Sequence, residues 1–475
     1  MARLELFGVG MLGESKAIDA QRRINCYLAP QSDADRTRLA LIGSPGLSIW
    51  SGSVSASPSR GMWAVNSLTT PLLFTVHAGT LYSVNNAGVV ASVGSIGTTS
   101  GDVSMVDNGT ELLLVDGAKG YAYNMVSPAG LNEITDGNFP APKTCTWLDT
   151  YFIVNKTGSN QYNLSQNNTA TTWPAININF TGSAPGALQA VQADHSILNL
   201  FGDVYTEFNQ NAGTPDFPFA VIPGSSQEFG LAAAFSLCKY DNSLAGVFKN
   251  RMGEVNISRM EGFRLKKIST PELDYIINQY STTADATAFG YMNGGHPMLQ
   301  VTFPTAGVTW EYDGFSQKWG ERQSTTNGRY WAKKFATFQG KRLVSDYQNG
   351  NIYQIDPTVY SDNGSPMPME VWSKHIWNDD KYLVINKIQI DVQAGVGVAT
   401  GQGENPQLML EVSKDGGNTF TNVGWSSIGP VGEYTQRVIW RSLGRARDWV
   451  LKLRITDPVK RVITGASAEI VGGTF

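Results

Sequence analysis

Between Gly295 and Arg322 the chain reads GHPMLQVTFPTAGVTWEYDGFSQKWGER. Met298, Gln300 and Thr302 alternate with Leu299, Val301 and Phe303, and a Pro-Thr-Ala-Gly turn follows. Thr309, Trp310, Glu311 and Tyr312 then start a second run before Asp313-Gly314 turns the chain again. This is the pattern of strand, turn, strand, turn, strand. A two-residue period lets one face of each run be buried while the other stays wet, and the turn residues accept or preset the required φ. Such a unit cannot bury its face alone, so the chain has to supply further copies beside it.

Further copies are visible from about residue 60 to 356, each an apolar strand, a glycine turn and a strand with an aromatic residue. They are LLFTVHAGTLYSV around Gly79, ELLLVDGAKGYAY around Gly117, YFIVNKTGSNQYNL around Gly158 and ILNLFGDVYTEF around Gly202, then LAGVFKNRMGEVNI around Gly253, TWEYDGFSQKW around Gly314 and RLVSDYQNGNIYQI around Gly350. The marker glycines lie 36 to 61 residues apart. Propeller blades of four strands take about 40 to 50 residues, so the spacing predicts an all-β fold, a β-propeller of six or seven blades over residues 49–360. A parallel β-helix has a shorter repeat, and unrelated sandwiches are the alternative.

Residues 1–48 read as an N-terminal arm with sparse apolar residues and basic Arg22, Arg23, Arg36 and Arg38, ending in the turn Ser44-Pro45-Gly46. The arm is expected to lie along the body or to cross to a neighbouring subunit. Ser269-Thr270-Pro271-Glu272 supplies helix-start signals, and Leu273, Ile276, Ile277 and Tyr280 follow at helical spacing. A short amphipathic helix is predicted over 271–280, covering a gap between blades or docking on another subunit. Residues 357–368, rich in Pro, Gly, Ser and Asn, read as a linker. Beyond it Ile388, Ile390 and Val392, then Leu408, Leu410 and Val412, then Leu451, Leu453 and Ile455 alternate with polar residues. Residues 369–475 are therefore predicted as a C-terminal β-sandwich, with AGVGVATGQGENP as a loop between two of its strands.

A chain of 475 residues exceeds one ordinary core and implies two or three domains. Its net charge of about −4 excludes a global basic field, so any nucleic-acid role is local or steric. Cys26, Cys145 and Cys238 lack CxxC spacing and are odd in number, which points to buried free thiols. The N-terminus lacks the basic and apolar regions of a cleaved signal, and no apolar run approaches 18 residues, so no membrane insertion by this chain is expected.

Motifs for chemistry are sparse. His77, His195, His296 and His375 are scattered without ligand spacing, and HExxH, GxSxG, phosphate-loop and dinucleotide motifs do not occur. His77 and His296 read as hydrogen-bonded strand-end residues. No catalytic residue, metal or cofactor is expected, although two distant carboxylates of a glycosidase would leave no local signature. Ser413, Asp415, Gly417, Thr419 and Phe420 form SKDGGNTF, which resembles the Asp-box hairpin of sialidase propellers. It occurs once, with Phe where Trp is usual, and its role in those enzymes is structural. The one concentration of charge comprises Arg437, Arg441, Arg445, Arg447, Lys452, Arg454, Lys460 and Arg461, opposed locally by Asp448 and Asp457. These residues are candidates for contact with an acidic partner or with phosphates, or else form a solvated face paired to distant acids.

Several of these features recur together in one family. ALIGSPGL, PELDYIINQY, the stretch from Gly295 to Arg322, SKDGGNTF and VIWRSLGRARDWVLKLRITDPVKRVITGA stand in the order found in a phage virion family. The chain resembles the packaged-DNA stabilisation protein, or tail hub, of short-tailed bacteriophages, least clearly over residues 160–260. The resemblance implies a virion protein of the tail or neck, made in the host cytoplasm and assembled as a homohexameric ring below the portal-adaptor. Such a hub retains packaged DNA, forms part of the ejection channel and carries a tail fibre, spike or needle. The alternatives are a tail-tip carbohydrate-binding propeller and a sialidase-like glycoside hydrolase.

Overall fold

Each of the seven repeats folds as an antiparallel meander, because its alternating faces can be buried only between two neighbours of the same kind. In the computed structural model the described residues are 2–4, 8, 11–30, 39–127, 130–183, 185–214, 217–325 and 328–473. The candidate basic residues Arg36 and Arg38 fall outside them.

Blade 1 runs from Ser59–Val65 to Val90–Ser95, blade 2 from Ser104–Asp107 to Leu131–Glu133, blade 3 from Pro142–Leu148 to Ile178–Phe180 and blade 4 from Leu188–Asp194 to Phe219–Val221. Blade 5 runs from Gly230–Leu231 to Arg264–Lys267, blade 6 from Thr287–Asn293 to Lys318–Glu321 and blade 7 from Ala332–Phe338 to Ile352–Asp356. Every adjacent pair of blades shares its own apolar cluster, as Phe74 with Leu114 between blades 1 and 2, and Leu73 with Phe338 between blades 1 and 7. The last of these pairs makes the array a closed ring.

The marker glycines fall one to a blade, but Gly314 lies in the turn before the fourth strand of blade 6. In blades 1, 2, 3, 5 and 7 the marker lies in the turn before the third strand. Gly307, at φ +68°, holds that position in blade 6, which accounts for the uneven intervals around Gly314.

The ring is fastened by the strand Gly46–Ser51, which pairs antiparallel with Ile352–Asp356 and sets Leu47 opposite Ile355. Thus blade 7 takes its outer strand from the N-terminal side of the propeller, leaving no gap in the hydrogen-bonded edge. The segment 357–368 is more than a tether. Ser361–Asp362 pairs with this fastening strand, Asn363 N donates to Leu47 O at 2.7 Å, and Asp362 is buried. Composition marks the segment as a connection but carries no signal that it is packed.

Two facing sheets form the C-terminal sandwich around Trp449, Leu410, Ile388 and Leu453. In one, Val438–Ala446, Leu383–Val392 and Val462–Gly472 continue into Leu39–Gly43 and Cys26–Pro30, while Ala2–Leu4 pairs with Val462–Gly472. Much of the N-terminal segment is therefore built into this chain's own sandwich. In the other sheet, Met369–Trp372 pairs with both Asp448–Ile455 and Arg23–Ile24, and the latter pairs with Lys318–Glu321 of blade 6. One continuous sheet thus crosses from propeller to sandwich.

The helix is Pro271–Ile277, with Thr270 Oγ1 accepting from Leu273 N at 3.4 Å as its N-cap. It ends before the predicted Tyr280 because the Asn278 side chain donates to the carbonyls of Asp274 and Val255. Leu273 and Ile277 plug the seam between blades 5 and 6, and Tyr280 still joins that core from beyond the helix end.

Gly46 fixes the approach of the fastening strand to residues 359–361. A Cβ there would run into the carbonyl oxygens of Val359 and Ser361. Gly46→Ala is expected to cost about 1–3 kcal/mol, as overpacking does, seen as a lower midpoint in urea or thermal unfolding.

Candidate functional site

The sequence cluster of basic residues is divided by the fold into three environments. Arg461 lies outside any surface. It is 1 % exposed, donates to the carbonyls of Met367 and Ser44, and packs against Gly43, where a Cβ would come within 2.9 Å of its Nε. This corrects its candidacy as a contact for an external partner: it is an internal strut. Burial, with repulsion from Arg322, brings its guanidinium down to about 10.

Arg454 and Lys452 face outward from Asp448–Ile455 but are paired. Arg454 Nε donates to Glu370 Oε2 at 2.7 Å, and Lys452 Nζ lies 2.5 Å from Glu411 Oε2. Trp372 extends this row, donating to Glu370 at 2.7 Å beneath Arg22, which forks onto Glu321 at 2.6 and 2.7 Å. Here the acids sit on other strands, as a paired, solvated face requires.

Arg437, Arg441, Arg445 and Arg447 differ. All four are exposed, and none forms a salt bridge with the described residues. They lie on or beside the edge strand Val438–Ala446, whose Val438, Trp440, Leu443 and Ala446 point inward. The step of three between Trp440 and Leu443 coincides with positive φ at Ser442 and Gly444 and leaves Arg441 and Arg445 outside. Lys387 stands opposite Arg441 on the neighbouring strand, with Glu469 one strand further on. Arg445 and Arg447 both lie over the ring of Tyr382, at 5.1 and 4.8 Å, which restricts their motion without neutralising them. The arrangement is a basic edge suited to carboxylates or phosphates.

The Asp-box-like hairpin closes as its sequence implies. Asp415 accepts from Asn418 N at 3.0 Å, Thr419 N at 2.9 Å and Thr419 Oγ1 at 2.6 Å, while Gly417 N donates to Ser413 Oγ at 2.8 Å. Hydrogen bonds from Ser413 and Thr419 hold the carboxylate down at about 2. Phe420 packs on Trp372 at 4.7 Å. The Asp415 side chain is thus occupied by its own turn and serves as a staple.

Between propeller and sandwich lies a junction that the sequence did not single out. Arg322, fully buried just after the last strand of blade 6, donates to Pro45 O at 2.6 Å and Asn25 Oδ1 at 3.2 Å. It also lies 4.4 Å over Tyr330 and 3.6 Å from Glu311. Glu311 accepts from Tyr291, Gln300 and Ser44. Asn25, at φ +54°, donates to Gln323 O at 2.9 Å and Pro368 O at 2.8 Å. One amide therefore bridges the N-terminal segment, the exit of blade 6 and the start of the sandwich. The signal available beforehand was Arg322 itself, at the end of the most regular strand unit, without any partner close in sequence.

The histidines have structural partners. His77 is bonded to Ser57 O and Thr75 Oγ1, and burial lowers its pKa. His296 meets Asp313 at 2.9 Å, and His375 joins Asp448 and Lys16 O at 2.8 Å, while exposed His195 meets Asp194 at 2.9 Å. The cysteines are free. Cys26 and Cys145 are buried and Cys238 is half-buried, and burial pushes each thiol up to about 12. Among the described residues no group of three or more His, Cys, Asp or Glu is placed to hold a metal ion, and no helix is long and apolar enough to cross a membrane.

Comparison with known proteins gives one family twice. Residues 36–360 match the family model described as "Bacteriophage P22 Gp10, beta-propeller", and residues 368–471 match "Bacteriophage P22 Gp10, beta-sandwich". No curated protein matches. Among solved structures the chain is similar to the N-terminal domain of Nup159, at 8% identity over 70% of this chain and 98% of that one, with a TM-score of 0.41. It is similar also to the computationally designed Ika8 protein, at 7% identity over 66% of this chain and 100% of that one, with a TM-score of 0.40.

Two measurements probe the junction. Asn25→Ala strands several buried partners and is expected to cost about 3 kcal/mol in urea unfolding. Burial raises Asp362 from its ordinary 3.8 to about 6, against the pull of Arg322. The folded state then holds this proton more tightly than the unfolded chain, so the group favours folding below about pH 4 and loses that contribution as pH rises through 6. Asp362→Asn removes the titration. Its stability should match wild type near pH 4 and exceed it by up to ~3 kcal/mol at pH 7.5, measured as urea midpoints across that range.

Proposed function

The chain belongs to the bacteriophage P22 Gp10 family of phage structural proteins, associated with DNA stabilisation, and from that premise we propose that it is a tail-hub subunit. In this reading copies of the chain close into a ring, six by analogy with the hub resemblance, below the portal-adaptor. The ring keeps packaged DNA in the head, lines part of the ejection channel and carries the distal fibre, spike or needle. The function is mechanical and assembly-based, without turnover of a substrate.

The observation that carries the proposal is the separation of paired from unpaired charge on the sandwich. Lys452 and Arg454 are satisfied within the chain, whereas Arg437, Arg441, Arg445 and Arg447 are left on an edge strand with their neutralising partner still to come. A heterologous ring requires two different complementary patches on each subunit, and closure prevents open-ended growth. The basic edge supplies one such patch, matched to an acidic surface on the next subunit or on the adaptor. The shared sheet and the Asn25–Arg322 junction support the reading by holding that edge at a fixed angle to the propeller. A chain carrying only −4 overall also suits a passage through which DNA must move, since dense phosphate contacts would retard it.

Exposed Trp377, Trp425 and Tyr434 on the sandwich support a second reading, a carbohydrate-binding module at the tail tip with aromatic stacking platforms.

Isolated portal-adaptor particles separate the two. Purified protein should add to them and stop DNA leakage, whereas the Arg441→Glu, Arg445→Glu double variant should bind at least about tenfold more weakly, as loss of charged interface pairs entails, with its melting temperature nearly unchanged. Normal addition by the double variant would remove the basic edge from the interface, and failure of the wild-type protein to add would remove the hub reading. Loss of affinity following a steep salt slope on naked DNA would assign the edge to phosphates instead.

A further inference from the structure

Another concentration of charge lies far from the arginine edge, at one mouth of the cavity along the propeller axis. This cavity of about 500 Å³ is walled by the inner segments of all seven blades. Its size is that of a small-ligand site and far short of a nucleic-acid duplex. Among the described residues its wall carries Lys239, Lys333 and Lys334 and neither aspartate nor glutamate.

Lys333 and Lys334 are consecutive, and regular alternation would send them to opposite faces of blade 7. The pairing of Ala332–Phe338 with Lys341–Asp346 slips register between Ala332 and Phe335, and a bulge of this kind re-aims neighbouring side chains. Both ammonium groups consequently reach one carboxylate, that of Asp102 before blade 2, at 3.1 and 3.3 Å. Lys334 also lies 4.7 Å over the ring of Phe235 from blade 5. Burial lowers its pKa in spite of Asp102.

Other cations at this mouth meet neutral oxygens. Arg60 donates to the carbonyls of Ala78, Thr98, Ser100 and Gly101, and Lys143 to Gln189 Oε1 at 3.0 Å. Asp116 holds Thr98 Oγ1 at 2.8 Å behind them. Two ammonium groups thus share one counter-charge in a partly dehydrated cavity, an arrangement that is costly until a further anion arrives.

We propose that Lys333 and Lys334, poised by Asp102 at the axial cavity, form a binding site for an oxyanion of the phosphate class. The anion lies between the two ammonium groups and inside the cavity mouth, with Asp102 ordering the lysines when the site is empty and competing with the anion when it is filled. Free phosphate and the phosphomonoester of a small molecule share this chemistry. The site stands on blade geometry alone and does not depend on ring assembly.

The test uses the full chain in phosphate-free buffer, titrated with inorganic phosphate and, separately, with glucose 6-phosphate, by calorimetry and thermal unfolding. Saturable heat with a rise in melting temperature is expected for at least one of them, and the tighter of the two identifies the source. Lys333→Met and Lys334→Met should each weaken binding about tenfold, the loss of one charge-assisted contact. Asp102→Asn should tighten it by removing the competitor. This variant keeps the test open if a methionine variant does not fold. Absence of a saturable response to either probe overturns the proposal. So does a response unchanged in all three variants, or one lost in Arg441→Glu, which would place the binding on the sandwich.

Discussion

The guanidinium of Arg322 has given up all its water, and the relation between propeller and sandwich depends on how that loss is made good. Dehydrating such an ion costs several kcal/mol unless each donor finds an acceptor in good geometry. Here Pro45 O and Asn25 Oδ1 accept hydrogen bonds, while Nε has no hydrogen-bond partner and is compensated by the charge of Glu311 at 3.6 Å and the nearby face of Tyr330. These groups come from the N-terminal segment, blade 6 and the entry to blade 7. No subset of these segments satisfies the charge. A buried ion of this kind contributes orientation more than net stability, because a wrongly docked sandwich would leave it bare. Asn25 adds the fourth segment through Pro368 O, and Arg461 adds a second strut from Met367 to Ser44.

Around that fixed point the two halves use different physics. The propeller distributes its apolar burial over separate clusters between successive blades, so each blade is held by two neighbours and the ring resists deformation at every seam. The sandwich concentrates its burial in one core around Trp449. Division of this kind spreads packing over many seams in one part and gathers it into a single core in the other.

Much of this was legible beforehand wherever the physics is local. Alternation from Met298 to Phe303, the Thr270-Pro271 helix start and the Asp415 hairpin each depend on neighbours within a few residues, and each folds as its residues dictate. Blade spacing was legible with one slip, because Gly314 and Gly307 are both turn glycines of blade 6 and only the fold separates their roles. The charges were not legible. Arg441, Arg454 and Arg461 are equivalent letters in one basic run, yet one is exposed, one is met by Glu370 some 84 residues away and one is buried. Their fates rest on partners that only tertiary structure brings near. Asp362 was hidden for a related reason: its Ser-Asp-Asn-Gly surroundings have the composition of a wet turn, and its burial arises from docking against Leu47. The Lys333–Lys334 pair needed a register slip that composition does not record.

The fastening strand also sets a timetable. Leu47 leaves the ribosome some three hundred residues before Ile355, its partner across the seam, and Leu41 waits longer still for Ile463. Contacts this distant along the chain make closure a late event. During synthesis the blades accumulate as an open arc whose edge is unsatisfied, and the N-terminal strands lack their sandwich partner Val462–Gly472 until translation is nearly finished. A nascent or truncated polypeptide therefore has neither a closed ring of blades nor a complete sandwich, and both are finished only when the last strands exist.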